Sequence, residues 1–289
     1  TGNLDPDTSL EIMKVLEAKF VKQFINLCFE VYHKGWHERN GGNLSYRIKK
    51  EEVESIKENF TYQEEREIGT IVKDLSNEYF LVTGSGCYLM NVKEYPEENI
   101  CIIKVNEDGT KYQICWGLKN GGKPTSELPS HLMNLEAIKR RSINEKRIVY
   151  HMHATNVIAL TFVLPLNSEI FTRELWEMAT ECPVVFPRGI GVIPWMVPGG
   201  KDIAIATSKM IEKYDAVIWA HHGMFVTGST FDETFGLADT IEKSAEILVK
   251  VISMKGVFSK EQTISRENFI HLAKDFNLTL NEDVLKICK

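Results

Sequence analysis

The sequence predicts an α/β fold: a single domain with a mixed central sheet, antiparallel hairpins, and helices covering both faces. Two observations predict it. Apolar residues recur at spacings of three and four near both ends of the chain, whereas the middle holds short apolar runs bounded by Gly, Asn and Asp. No composition break, internal repeat or long linker divides residues 1–289. Strands and helices intermixed in this way build layered α/β domains.

The first helix is read from Ile12, Leu16, Phe20, Phe24, Leu27 and Val31, which place one apolar stripe on one face, and Gly35 ends it. Leu44 to Ile48 reads as a short strand. Lys49 to Glu67 holds eleven charged residues in nineteen, so it is expected to be a solvated surface insertion or loose helical hairpin. Glu78 to Thr83, Ile100 to Val105, Tyr112 to Trp116 and Ile148 to His153 read as strands. Asn106-Glu107-Asp108-Gly109 is a hairpin turn signal, so the strands either side of it should pair antiparallel.

Ser130 to Lys139 and Asn156 to Phe162 read as helices, and Val184 to Met196 as short apolar pieces broken by Pro and Gly. Lys201 to Tyr214 is an amphipathic helix, followed by a buried strand at Ala216 to Ala220. Thr230-Phe231-Asp232-Glu233 has capping-box spacing. The helix behind it carries Thr234, Ala238, Ile241, Ala245, Leu248 and Ile252 on one stripe and should close at Gly256. A last short helix should start at Ser265.

The formal charge is −6, from 34 basic against 40 acidic residues, which argues against nucleic acid as a partner and against an anionic membrane surface. Ile148 to Ser168 lacks Asp, Glu, Lys and Arg, but it holds His151, His153, Asn156 and Pro165, so a buried soluble segment is expected rather than a membrane span. The opening residues Thr1 to Asp7 are polar and acidic, unlike a secretory leader. The cysteines Cys28, Cys87, Cys101, Cys115, Cys182 and Cys288 are scattered, with no C-x-x-C pair. Buried free thiols in a reducing cytoplasm are the expectation.

The sharpest chemical signal is His151-Met152-His153. Residues two apart on a strand face the same side, so these imidazoles stand side by side as a metal needs. A further ligand could come from His221-His222-Gly223, at the end of another buried strand. Neighbours on a strand face opposite sides, so only one of His221 and His222 should point inward, and spacing does not choose between them. His131 also lies near an element end, while His33, His37 and His271 are expected at the surface.

Three turns, Asn40-Gly41-Gly42-Asn43, Thr83-Gly84-Ser85-Gly86 and Lys123-Pro124-Thr125-Ser126-Glu127, offer backbone N–H groups with small hydroxyl or amide donors. Each is ordinary turn chemistry by itself. Beside a metal pair, together they suggest a phosphorylated small molecule. Glu127 falls where a helix begins, suited either to complement the helix dipole or to act as a general base. Glu181 lies between apolar segments, and glutamates are exposed by default.

These residues together resemble the class II aldolase and adducin-head superfamily. The match is carried by Gly35-Trp36-His37-Glu38-Arg39-Asn40-Gly41-Gly42-Asn43-Leu44, Val82 to Gly86, Pro124 to Pro129, His151 to Asn156, Trp176-Glu177, Thr180 to Cys182, Pro194 to Gly199, and His222-Gly223. Asp232 to Leu237 and Gln262 to Arg266 also fit, and Lys49 to Glu67 fits least. The resemblance implies zinc (Zn2+) held by His151, His153 and His222, leaving His221 as a neighbour. It implies Glu127 as the acid/base residue and a phosphate site built from Asn40, Gly41, Asn43, Ser85, Gly86, Thr125 and Ser126. It implies that Glu181 acts at the aldehyde end, in its own site or in that of a neighbouring subunit, and that the chain forms a cyclic homotetramer with sites at its interfaces.

The implied activity is retro-aldol cleavage of a sugar phosphate, L-rhamnulose 1-phosphate, to dihydroxyacetone phosphate and L-lactaldehyde in the cytoplasm. Within the superfamily the alternatives are L-fuculose 1-phosphate cleavage, pentose-phosphate 4-epimerisation and sugar-phosphate dehydration. A non-catalytic interaction head, as in the adducins, would be expected to have eroded ligands. Here the histidines and Glu127 are all present.

Overall fold

The computed structural model describes residues 13–141, 146–255 and 262–288. A helical turn over 13–17 breaks at Ala18, and α1 (Lys19–His33) buries Phe20, Phe24, Leu27 and Val31, the stripe its spacing predicts. Ile12 lies outside the described residues. In chain order there follow β1 (Asn43–Arg47), α2 (Lys50–Glu54), β2 (Arg66–Glu67), β3 (Tyr79–Thr83), α3 (Pro96–Asn99), β4 (Ile100–Val105) and β5 (Lys111–Gly117). Next come α4 (Leu128–Arg141), β6 (Ile148–Met152), α5 (Thr155–Leu160), α6 (Ser168–Trp176), α7 (Cys182–Val185) and β7 (Gly191–Ile193). The chain continues through α8 (Lys201–Ile211), β8 (Ala216–Trp219), β9 (Gly223–Gly228), α9 (Phe231–Lys255), α10 (Arg266–Asp275) and α11 (Glu282–Ile287).

The strands form one sheet of nine in the order β2-β5-β4-β3-β1-β6-β9-β8-β7. Among the described residues only the pair at one edge, β7 with β8, is parallel; the other pairs are antiparallel, so the sheet is mixed as expected. The hairpin turn is where the sequence puts it, with Val105 opposite Tyr112 and Asn106 Oδ1 accepting from Thr110 N at 3.0 Å.

Because side chains alternate along a strand, the sheet divides the interior into two apolar layers. Tyr150, Met152, Met224 and Val226 pack with α1, α5, α6 and α9 on one face. Val149, Val217, Trp219 and Phe225 pack with α4 and α8 on the other. Thr230 Oγ1 accepts from Glu233 N at 3.1 Å at the head of α9, while the Glu233 carboxylate reaches back to Ser229 N. Gly256, the expected stop of this helix, lies outside the described residues. Ser265 caps α10 through Asn268 N.

Lys49 to Glu67, expected as a solvated insertion or loose helical hairpin, is mostly exposed and holds the short helix α2, but it is not detached from the core. Val53 and Ile56 are buried and Arg66–Glu67 pairs with β5, so the segment packs on the sheet and closes one edge. Ile148 to His153 ends as a strand at Met152. Strand β9 and helices α6 and α11 were not foreseen. Cys28, Cys101, Cys115, Cys182 and Cys288 are buried free thiols, whereas Cys87 is half-buried. Among the described residues no helix is long and apolar enough to cross a membrane.

Candidate metal centre and anion pocket

The site lies where five adjacent strands come to one end: β3 stops at Thr83, β1 starts at Asn43, β6 stops at Met152, β8 stops at Trp219 and β9 starts at Gly223. Antiparallel pairing sets Asn43 opposite His151, and His151 opposite Phe225. The ring of His151 stacks on Phe225 with centroids 4.3 Å apart, which fixes its plane. Its Nδ1 donates to the Met224 carbonyl at 3.1 Å, leaving Nε2 facing the site. His153 lies just past the strand and hydrogen-bonds Glu38 Oε1 through Nδ1 at 2.6 Å, so its Nε2 is also left.

The third histidine is His222. Its Nε2 lies 3.3 Å from that of His151, and one ring nitrogen each from His151, His153 and His222 lies within 4.8 Å of the others. His221 is turned away. Its backbone adopts φ +62°, its Nδ1 meets Thr161 Oγ1 at 3.1 Å, and its ring packs on Phe162. A left-handed residue at the β8–β9 turn is what separates the two neighbours.

Burial holds His151 well below the ordinary imidazole value, helped by the charges of His153 and His222. Burial, then His153, likewise lowers His222 to about 4. Three imidazoles with converging ring nitrogens, two of them oriented by Nδ1 partners, are the donor set of a divalent metal. The residues present therefore fit such an ion.

Glu127 immediately precedes α4 and is buried, with Oε2 accepting from Asn43 Nδ2 at 2.9 Å and lying 3.7 Å from His151 Nε2. Burial raises its carboxyl above the ordinary range, and the Asn43 hydrogen bond opposes that shift. The loops beside it are fastened to each other: Ser85 N donates to Lys123 O at 2.7 Å, and Thr125 N to Thr83 O at 2.9 Å. Asn40, Gly41, Asn43, Ser85, Gly86, Thr125, Ser126, Glu127, His153 and His222 consequently line one cavity of about 250 Å3. His151 stands behind this lining, its Nε2 3.7 Å from Glu127 Oε2 and 3.3 Å from His222 Nε2. Glu181 is exposed at the head of α7 and does not line this cavity.

One reading is overturned. His37 is not at the surface but 4% exposed. Its Nε2 meets the Tyr150 hydroxyl at 2.6 Å and its Nδ1 donates to Gly41 O at 2.8 Å, which ties the Asn40–Asn43 turn to β6. Burial lowers its pKa to about 4, so it stays neutral. Gly42, at φ +74°, makes room for it, because a Cβ there would collide with the His37 ring. Glu38 was also missed as the partner of His153. The signal for both was an unusually polar run, His37-Glu38-Arg39-Asn40, entering a strand.

The class II aldolase and adducin N-terminal domain model matches residues 22–249. A rhamnulose-1-phosphate aldolase of Mannheimia succiniciproducens is 49% identical over 276 residues, covering 95% of this chain and all of that protein. One from Yersinia pestis is 48% identical over 267 residues, covering 92% of this chain and 96% of its own. Among solved structures, a sugar-phosphate aldolase from Thermotoga maritima superposes with a TM-score of 0.70 at 29% identity, covering 82% of this chain and 96% of its own. With the metal-fitting histidines, the buried carboxylate and the donor-lined cavity in place, the chain belongs to the class II aldolase and adducin N-terminal domain family.

Proposed function

We propose that the chain is a single catalytic domain, a zinc-dependent aldolase that cleaves L-rhamnulose 1-phosphate reversibly to dihydroxyacetone phosphate and L-lactaldehyde. The observation that carries the reading is one cavity lined by His153, His222, the buried Glu127 carboxylate and a ring of neutral donors, with His151 completing the histidine cluster behind it. The 49% identity to a rhamnulose-1-phosphate aldolase along 95% of the chain supports the choice of substrate.

His151, His153 and His222 would hold the metal, each through one ring nitrogen. Zinc bound there supplies Lewis-acid stabilisation of negative charge on the dihydroxyacetone phosphate portion. Neutral ligands leave most of the ion's charge available for that purpose. Asn40, Gly41, Asn43, Ser85, Gly86, Thr125 and Ser126 anchor the phosphate with N–H and O–H donors, and this remote grip aligns the reacting carbons. In cleavage, the hydroxyl on the aldehyde side gives its proton to the Glu181 carboxylate as the carbon–carbon bond breaks. The electron pair moves into the carbonyl-bearing fragment, and Glu127 delivers a proton to the carbon left behind. Glu181, exposed and outside its own cavity, acts on the aldehyde-side hydroxyl in a neighbouring copy within a cyclic homotetramer.

The test is release of dihydroxyacetone phosphate from L-rhamnulose 1-phosphate, with L-fuculose 1-phosphate and ribulose 5-phosphate alongside. Dialysis against a strong chelator should abolish release and zinc should restore it. Full turnover by the stripped protein, or preference for either other sugar, would overturn the reading.

A further inference from the structure

His131 is fully buried in the first turn of α4, four residues after Glu127, whose carbonyl accepts from its backbone N–H at 3.0 Å. A buried histidine under a sheet is usually a packing residue that has found partners. This one spends both ring nitrogens on β1, on residues two apart that share a face. Nδ1 lies 2.6 Å from Ser45 Oγ, and Nε2 hydrogen-bonds Asn43 Oδ1. Asn43 Nδ2 in turn donates to Glu127 Oε2 at 2.9 Å.

The donor and acceptor roles in this chain are fixed. An amide oxygen only accepts, so His131 Nε2 carries the proton and Nδ1 accepts from the Ser45 hydroxyl. Burial lowers the imidazole to about 3, so the ring remains neutral and keeps that tautomer. With Oδ1 held by His131, the Asn43 amide cannot turn over. A flipped amide would set an acceptor against the Glu127 carboxylate and leave the ring N–H without its acceptor, both unfavourable in a buried site. An NH2 group has two protons. One serves Glu127, and the other is free for the cavity that Asn43 lines.

We propose that His131 is a positioning residue for the aldol reaction: it locks the Asn43 amide so that one N–H steadies the Glu127 carboxylate and the other meets the substrate's phosphate. The chain Ser45–His131–Asn43–Glu127 thereby joins the proton-transfer group to the anion site through buried hydrogen bonds. This rests on the reading of Glu127 as the acid/base group.

The experiment compares steady-state kinetics and metal content of the full-length protein with those of His131→Leu, His131→Asn, His131→Gln, Asn43→Ala, the double variant His131→Leu/Asn43→Ala, and Glu127→Gln. His131→Leu should lower kcat roughly 10- to 100-fold, the scale of a misplaced catalytic group, with KM much less affected and metal content unchanged. His131→Asn, too short to reach Asn43, should be equally slow. His131→Gln, whose amide donor falls near the position of Nε2, should recover most of the rate. The double variant should be no slower than Asn43→Ala, because the histidine acts through the asparagine.

Multiplicative losses in the double variant, a His131→Gln as slow as His131→Leu, or a rate loss that tracks metal loss would each overturn the proposal. Wild-type turnover in Glu127→Gln would sink the acid/base reading itself. An inactive Glu127→Gln beside a fully active His131→Leu would sink the positioning role alone.

Discussion

Glu38 Oε1 lies 2.6 Å from His153 Nδ1, so a carboxylate stands directly behind one of the converging imidazoles. Partial burial pushes the Glu38 carboxyl up, but the bond to His153 and its charge more than offset this and hold it below the ordinary range. A carboxylate behind a metal-binding histidine fixes the tautomer and raises the basicity of the other nitrogen. Glu38→Gln should therefore weaken metal binding about 10- to 100-fold, measured by competition with a chromophoric chelator. An unchanged affinity would mean that this exposed carboxylate tunes nothing.

The β8–β9 turn makes a second claim. His221→Ala removes a contact with Thr161 and a ring pair with Phe162, both away from the cluster, and should retain one metal per chain. His222→Ala removes a ring nitrogen that lies 3.3 Å from His151 Nε2 and should lose it. Elemental analysis of the two purified proteins decides, and the reverse pattern would exchange their roles.

Gly42→Ala should be costly for two separable reasons. Its φ of +74° disfavours any side chain, and a Cβ would collide with the His37 ring and sit 2.8 Å from the His151 carbonyl oxygen. Left-handed strain of about 1–2 kcal/mol and overpacking of about 1–3 kcal/mol together predict a loss of roughly 2–5 kcal/mol. A shift in the urea midpoint at constant slope reports it, and a stability within error of the parent protein would show that the turn relaxes freely.

Asp215 gives a prediction about acid. Burial would raise its carboxyl, but Lys146, with Nζ at 2.7 Å, and Arg141 outweigh burial and bring it below the ordinary value. Lys146 is itself lowered, because its own burial exceeds the help of a single anion shared with Arg141. The benefit therefore resides on Asp215. A carboxyl depressed in the native state adds stability above its unfolded pKa of about 3.9, and that stability is lost as the pH falls through the native value. Asp215→Asn should cost about 3 kcal/mol at neutral pH. The gap from the parent protein should persist down to about pH 4 and narrow in stronger acid. A gap that is the same at every pH would point to packing rather than charge.

The sequence exposed what depends on local periodicity and chemistry. The α1 stripe, the Asn106–Gly109 turn, the Thr230 cap and the His151-Met152-His153 pair were all legible, because each is decided by neighbours along the chain. His37 was not, because its burial depends on Tyr150, more than a hundred residues away, and on the missing Cβ of Gly42. Strand β9 is Gly-Met-Phe-Val-Thr-Gly, too short to show a period and bounded by glycines that look like loop. Val53 and Ile56 were hidden by the charges around them, although one sits near the end of a short helix and the other in the turn just after it, both facing the core. The choice between His221 and His222 could not be read from spacing, since it turns on the sign of a single φ.

That same turn has a consequence for the mechanics of the chain. The converging nitrogens of His151 and His222 belong to residues 71 apart in sequence. A bound ion is thus a removable cross-link, closing a long loop of the unfolded polymer and withdrawing entropy from it. The free metal concentration then acts as a thermodynamic variable for the whole sheet, because any ligand that favours the folded form raises stability by mass action. The ion that equips the cavity for chemistry also clamps the end of β6 to the turn between β8 and β9.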